Sequence, residues 1–409
     1  MPRSSEWWAF AWFFCLLASY FLLRPIREAI GASGDTGSLS WLYTGTFVAM
    51  AVTNPLFAWI VTRLPPRRFL ALTYRFFALN LLLFALAFEW LDGQARRHAG
   101  SVFFVWLSVF NLSVVTVLWG SLADAFSREQ AKRTFGFIGA GGTLGAIVGS
   151  WVVQQTVLDL RWGRLLLVAV VLLEIATRCA LRVANRLQAP DTPLRGTVQE
   201  GMRAVAASPY LRAISGYLLF FTVTSTFVYF TQSTLVRAAI ADPAERTRFF
   251  AWSNFAYNSV TLLIQLLFTG HLLRKLGLTK SLGALPAVTV AGFALVAIAP
   301  EALLVAGFDV VRKASHFALS KTAQEVLFTV VDRVQKYKAK SFIDTVVYRG
   351  GDVGAAWLYH WTSTGRDLRQ MCWFAALIGA GWLFLGAWLG RMHERIAARN
   401  PGSGSPPGA

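Results

Sequence analysis

Charged side chains interrupt otherwise apolar stretches of this chain at three places, and their types and spacing suit the binding of an anion. Arg24, Arg27 and Glu28 stand three and four residues apart, so on a helix they share one face and Arg24 reaches Glu28. Further along, Asp309, Lys313, His316 and Ser320 fall on one helical stripe, with Arg312 beside it and Lys321 and Glu325 beyond it. Asp344, Arg349 and Asp352 form a third group, and Arg75, Glu174 and Arg178 are further charges in apolar surroundings. An ionised side chain at mid-membrane costs at least about 2.5–3.5 kcal/mol on insertion scales, so such groups normally face a cavity or a partner. The strong cations Arg24, Arg27, Arg75, Arg178, Arg312 and Lys313 outnumber the acids left unpaired. Guanidinium groups make forked contacts with phosphate or carboxylate, and a lysine adds a compact charge. Plainer readings stand beside this one: an interfacial anchor at Arg24–Glu28, an Asp309–Lys313 pair that locks helices together, and snorkelling of Arg75 and Arg178. Trp41, Tyr43, Tyr217, Tyr229, Trp252 and Tyr257 could stack on a planar group, although packing is their commoner role.

Covalent chemistry finds no support in the residues. The chain has no Gly-Lys-Ser/Thr phosphate loop, no His-Glu-x-x-His pair, no Gly-x-Ser-x-Gly elbow and no His-x-x-x-x-Asp pair of an acyltransferase. Gly139, Gly141, Gly142, Gly145 and Gly149 follow no strand, so close helix packing explains them better than a phosphate cradle. Cys15, Cys179 and Cys372 sit in apolar segments without metal-type spacing. The expectation is binding and movement without enzyme chemistry, cofactor or metal.

The elements that must position these charges are membrane-spanning helices. Of 409 residues, 55% are hydrophobic and 15% charged, well beyond what a soluble domain requires. Uncharged runs such as 41–61, 101–123 and 371–390 are long enough to cross a hydrocarbon core of about 30 Å. Continuous apolar runs fit helices, which satisfy their own backbone groups in lipid, and not the alternating segments of a barrel. Twelve spans are expected, at 7–30, 39–62, 69–90, 101–123, 134–157, 164–185, 210–236, 249–272, 280–299, 302–328, 341–362 and 370–390. They form an N-terminal six-helix bundle over 1–185, a cytoplasmic linker over 186–209 with room for a short interfacial helix, and a C-terminal six-helix bundle over 210–390. A disordered tail is expected over 391–409. The apolar run from Trp7 has no small-residue cleavage site after it and reads as a retained first span.

The net charge of +18 follows topology and does not imply nucleic acid. Connections after even-numbered spans carry 16 Lys and Arg, for example Arg63, Arg67 and Arg68, whereas those after odd-numbered spans carry nine. By the positive-inside bias both termini are cytoplasmic. The two halves also resemble each other. Gly141-Gly142-Thr143-Leu144-Gly145-Ala146 matches Gly350-Gly351-Asp352-Val353-Gly354-Ala355 at an offset of 209, and Arg63–Arg68 resembles Lys275–Lys280 at an offset of 212. Such a repeat is the mark of a pseudo-symmetric six-plus-six transporter, with Gly141, Gly142, Gly145, Gly350, Gly351 and Gly354 as gating or packing positions.

Three stretches resemble the ATP:ADP antiporter family of bacteria and plastids. Tyr20-Phe21-Leu22-Leu23-Arg24-Pro25-Ile26-Arg27-Glu28 is similar to its first-helix motif. Asp124 to Ala146, with Glu129-Gln130-Ala131-Lys132-Arg133 leading into a glycine-rich helix, is similar to its fourth connection and fifth helix. From Lys313 to Ala355, the order of Glu325, Lys338, Lys340, Asp344, Arg349 and Gly351 resembles the third motif. The resemblance implies a twelve-helix, major facilitator-like fold and nucleotide exchange across the cell inner membrane. His316 stands where that family carries a lysine, and Lys321 and Gln324 where an acid and then a lysine would follow, which changes the anion the site would stabilise.

Substrate-binding roles are therefore expected for Arg24, Arg27, Arg312, Lys313 and His316, and charge-pairing or coupling roles for Glu28, Asp309, Glu325, Asp344 and Arg349. The expected partners are a small anionic substrate and the lipid bilayer, with no nucleic acid and a monomeric chain. The alternatives are export or flipping of an amphipathic lipid-like anion, for which 16 Trp and 32 Phe are suited, and a non-transporting membrane receptor of the same fold.

Overall fold

The computed structural model describes residues 4–61, 63–126, 128–184, 198–267, 269–331, 335, 339–340 and 342–399. All regular structure among them is helical. The helices are α1 (Ser4–Gly31), α2 (Thr36–Val61), α3 (Pro66–Trp90), α4 (Gly93–Ala125), α5 (Arg128–Thr156), α6 (Trp162–Val183), a short α7 (Val198–Ala207), α8 (Pro209–Ala239), α9 (Pro243–Leu267) and α10 (Thr269–Ile298). Then come α11 (Ala302–Ser315), a π turn over His316–Ser320, α12 (Lys321–Leu327), a second π turn over Ile343–Val347, α13 (Tyr348–Ser363) and α14 (Leu368–Arg399). Among the described residues seven helices are long and apolar enough to cross a membrane. Prolines open α3, α8 and α9, where the missing N–H has no intrahelical partner to lose.

Each expected span overlaps a described helix, but several helices start six or more residues before the expected boundary, those of the fourth and eighth spans at Gly93 and Pro243, and three differences are informative. The connection between the eighth and ninth spans shrinks to a kink at Gly277 (φ 70°, ψ 170°), a conformation that a side chain would strain. The polar segment from Arg391, expected to be disordered, continues α14 to Arg399. It does so because Met392 and Ile396 pack on the core of the second unit, and buried His393 meets the Tyr210 hydroxyl at 2.8 Å through Nδ1. Residues 400–409, and 185–197 of the expected linker, lie outside the described residues.

The chain forms two compact units. Unit 1 comprises Met1–Thr192 with Val236–Asn258, and unit 2 comprises Pro193–Leu235 with Ser259–Ala409. The third difference is that Val236–Asn258, from the expected C-terminal bundle, packs with unit 1. In unit 1, α1 lies against α5 and α6. The α1–α5 approach depends on the glycines of the first repeat motif: a Cβ on Gly141 would sit 2.8 Å from the Phe10 carbonyl, and one on Gly145 would run into the Phe14 carbonyl. Ser19 donates to the Ala169 carbonyl (3.1 Å) and the Trp12 indole to the Tyr74 hydroxyl (3.1 Å), so α1 is also tied to α6 and α3. In unit 2, α10 packs along α14, and Tyr217 of α8 donates to the Leu282 carbonyl at 2.7 Å. Large apolar side chains such as Leu377 and Phe384 stay 71% exposed, which a bilayer accommodates and water does not.

Candidate functional site

Unit 1 holds the first charge group at the end of α1. The spacing places Arg24 and Glu28 one turn apart, and Arg24 Nε donates to Glu28 Oε1 at 2.9 Å. Arg24 Nη1 donates to the Tyr257 hydroxyl at 2.8 Å, and its guanidinium lies between the rings of Phe21 (5.4 Å) and Tyr257 (5.5 Å). Glu28 is buried, and its second oxygen accepts from Asn254 Nδ2 at 2.6 Å. Half-buried Arg27 points elsewhere: Nε donates to the Phe104 carbonyl (3.1 Å), and the guanidinium stacks on the Phe104 ring at 3.7 Å.

Unit 2 holds the second group on α11 and its π turn. Asp309 and Lys313 pair at 2.6 Å, as their spacing of four allows. Arg312 is 3% exposed and is surrounded by neutral oxygens. It donates to Ser225 Oγ (2.7 Å), Thr224 Oγ1 (3.2 Å), Thr289 Oγ1 (3.3 Å) and the Phe221 carbonyl (3.4 Å). The Phe221 ring, 5.5 Å from the guanidinium, also stacks on His316 with centroids 4.4 Å apart. The π turn beginning at His316 is a helical irregularity often found at functional sites. Nδ1 of His316, Oγ of Ser320 and Nε2 of Gln324 are buried without a hydrogen-bond partner among the described residues.

A common pattern emerges when each unit is considered by itself. Arg24 is neutralised by Glu28 and Lys313 by Asp309. Arg27 and Arg312 have no carboxylate within ion-pair distance among the described residues, and each instead rests on a phenylalanine ring and donates to that residue's carbonyl. Glu325 pairs with Lys340 at 2.6 Å and Arg349 with Asp352 at 3.7 Å. Asp344 lies in the second π turn, with its side chain outside the described set. Glu174 pairs with both Arg75 (3.5 Å) and Arg178 (3.2 Å) near the surface.

The two glycine motifs differ in their surroundings. Gly141, Gly142 and Gly145 are filled by α1, Gly351 abuts Leu219 and Thr222, and a Cβ on Gly350 or Gly354 would meet nothing within 4 Å. Sequence reasoning assigned no role to Asn254, Phe104, Phe221, Thr224, Ser225 or Thr289. Two signals were available: Asn254 and Asn258 one turn apart in an apolar helix, and the hydroxyl run Thr222, Thr224, Ser225, Thr226 within a span.

Residues 9–314 match the family model described as Major Facilitator Superfamily. ADP,ATP carrier protein 1 of Chlamydia muridarum (strain MoPn / Nigg) is 23% identical over 306 residues, covering 64% of this chain and 58% of that relative. The chain thus spans less than two thirds of that relative's length. Among solved structures, a mutant of the nucleoside transporter NupG matches with a TM-score of 0.67 at 15% identity, over 95% of this chain and 98% of that one. An auto-inhibited POT family peptide transporter gives 0.64 at 13% identity, over 96% and 97%. A bacterial homolog of the human lysosomal transporter Spinster gives 0.61 at 12%, over the whole of both chains. At these identities the likeness is one of fold.

Proposed function

The chain belongs to the major facilitator superfamily of membrane transporters, and on that premise we propose that its cargo is an organic, phosphorylated anion moved by alternating access, with nucleotide exchange as the leading case. The observation that carries this reading is that each unit keeps a guanidinium, Arg27 or Arg312, without a carboxylate partner among the described residues. A cation that donates to neutral oxygens, buried at Arg312 and half-buried at Arg27, gains from any anion that reaches it, because charge-assisted bonds are roughly twice as strong as neutral ones. Lys313 and Arg24 supply further cations whose acids, Asp309 and Glu28, occupy them while the cargo is absent. The unpartnered polar atoms of His316, Ser320 and Gln324 offer hydrogen bonds to uncharged parts of the cargo. The distant similarity to a carrier named for ADP and ATP favours a nucleotide within the anion class. Operation in the cell inner membrane, with cytoplasmic termini, is part of the same reading.

Proteoliposomes offered labelled ATP, ADP, inorganic phosphate and a mixed panel of organic anions test it. Uptake or exchange of at least one phosphorylated anion is expected, with loss in Arg312→Ala and Lys313→Ala. A panel without any responding anion, or unchanged transport in both variants, would sink the proposal, and accumulation of an amphipathic lipid in its place would favour the flippase alternative.

A further inference from the structure

Three charged side chains of unit 1 meet on a face whose other exposed residues are apolar. Arg75 of α3 and Arg178 of α6 both reach Glu174 of α6 through Nε, at 3.5 and 3.2 Å. The side chains of Arg75, Arg178 and Glu174 are 59%, 74% and 33% exposed. Exposed Leu72, Phe76 and Leu79 flank Arg75 on α3, and exposed Val171 and Ile175 flank Glu174 on α6. In a bilayer such a face meets lipid. Arg75 stands nine residues beyond Pro66 and Glu174 nine residues before Val183, so at about 1.5 Å per residue both lie about 13–14 Å inside their helices. The Arg161–Glu89 pair, at 3.1 Å, marks the opposite end of the same α3–α6 crevice. The Arg75 end adjoins the connections richer in Lys and Arg, the side that the charge bias makes cytoplasmic.

Charges at such a depth normally face the protein interior or a partner, or rise toward the headgroups on a flexible stem. Arg75 stays at its own depth, held across the crevice by Glu174. Two guanidiniums against one carboxylate leave a positive charge unmatched, and Nη1 and Nη2 of both arginines make no hydrogen bond among the described residues. Arg182, one turn nearer the helix end, lies on the Trp8 ring at 3.8 Å and stays out of the group. A phosphodiester fits what remains, because it carries one negative charge and its two non-bridging oxygens can each accept from one fork. We propose that the α3–α6 crevice binds the phosphodiester of an anionic phospholipid, a phosphatidylglycerol of the cytoplasmic leaflet, on Arg75 and Arg178. Its acyl chains lie along Leu72, Phe76 and Val171. A free phosphate would have to leave water to reach this depth, whereas a lipid brings its phosphate along the helices as it packs. Basic pockets between spanning helices on the cytoplasmic side suit such headgroups. The leaflet rests on the topology proposed above; the site does not, and neither depends on the cargo.

Delipidated protein in a neutral detergent, titrated with phosphatidylglycerol and read by native mass spectrometry, tests the assignment. One phosphatidylglycerol is expected to bind ahead of the rest, at least about fivefold more tightly than phosphatidylcholine, the scale of one basic residue at a lipid surface. Arg75→Gln and Arg178→Gln should each weaken that first step by about fivefold, and both side chains are exposed enough to be replaced without opening the core. Glu174→Gln removes the competing carboxylate and should tighten it, whereas a crevice that used the ion pairs only for its shape would bind less. Arg391→Gln removes an exposed cation of unit 2 and should change nothing. Unchanged affinity in both arginine variants, weaker uptake in Glu174→Gln, or an equal loss in Arg391→Gln, the mark of diffuse attraction to net charge, would overturn the site. Phosphatidylethanolamine binding as tightly as phosphatidylglycerol would overturn the anionic headgroup. Displacement of the lipid by inorganic phosphate at equal concentration would mark a free-anion site in its place. No transport is measured, so failure here and failure of the cargo proposal are separate results.

Discussion

Arg312 is the residue whose surroundings constrain the chemistry most. Its donors are spread over three hydroxyls and a carbonyl, a geometry that a planar fork fills and a lysine ammonium does not. Arg312→Lys keeps the charge but loses the fork, so the initial rate of anion transport in proteoliposomes should fall at least about tenfold. Its unfolding temperature should stay near that of the parent protein, because the hydroxyls left behind can bond to water or to backbone. Asp309→Asn, by contrast, should lower stability as well as transport. It leaves the Lys313 ammonium, one quarter exposed, without its 2.6 Å partner and should cost about 1–3 kcal/mol, less than a fully buried pair because water reaches the lysine. Thermal unfolding in detergent reads that loss, and Asp309→Asn combined with Lys313→Gln should recover stability without recovering transport.

At the scale of helices, equal sequence motifs occupy unequal settings. A methyl group on Gly145 has to displace the α1 backbone, so Gly145→Ala should destabilise by roughly 1–3 kcal/mol, the usual cost of overpacking. Gly354→Ala meets open space and should leave stability unchanged or raise it by about 1 kcal/mol through helix propensity. Paired unfolding curves distinguish the two, and equal losses would refute the asymmetry. The C-terminal helix supplies a further test. Its last turns carry Met392, His393 and Ile396 against the core of unit 2, so truncation after Gly390 should lower the unfolding temperature measurably. The π turns over His316–Ser320 and Ile343–Val347 interrupt helices that a uniform 3.6-residue period would draw as continuous. Such interruptions leave little trace in composition, which is why they were not anticipated.

For the whole molecule, the charge asymmetry of the connections predicts both termini on the cytoplasmic side. Fusions of a reporter that is fluorescent only in the cytoplasm, and of a phosphatase active only outside, should give signal from the first and none from the second at either end. The opposite pattern would overturn the topology. The positions of the spans, the basic connections and the repeated glycine motifs could all be read from the sequence, because apolar length, charge and self-similarity are properties of a single line of residues. So could the local pairs Arg24–Glu28 and Asp309–Lys313, which helical spacing alone brings together. Tertiary structure decided which cations lack a carboxylate, since Arg312 depends on oxygens 23 to 91 residues away and Arg27 on a residue 77 away. It also decided that Asn254 and Tyr257 bond to Glu28 and Arg24 of α1, and that Gly145 is filled while Gly354 is open. Each of these depends on contacts between helices distant in sequence, which residue spacing within one helix does not encode.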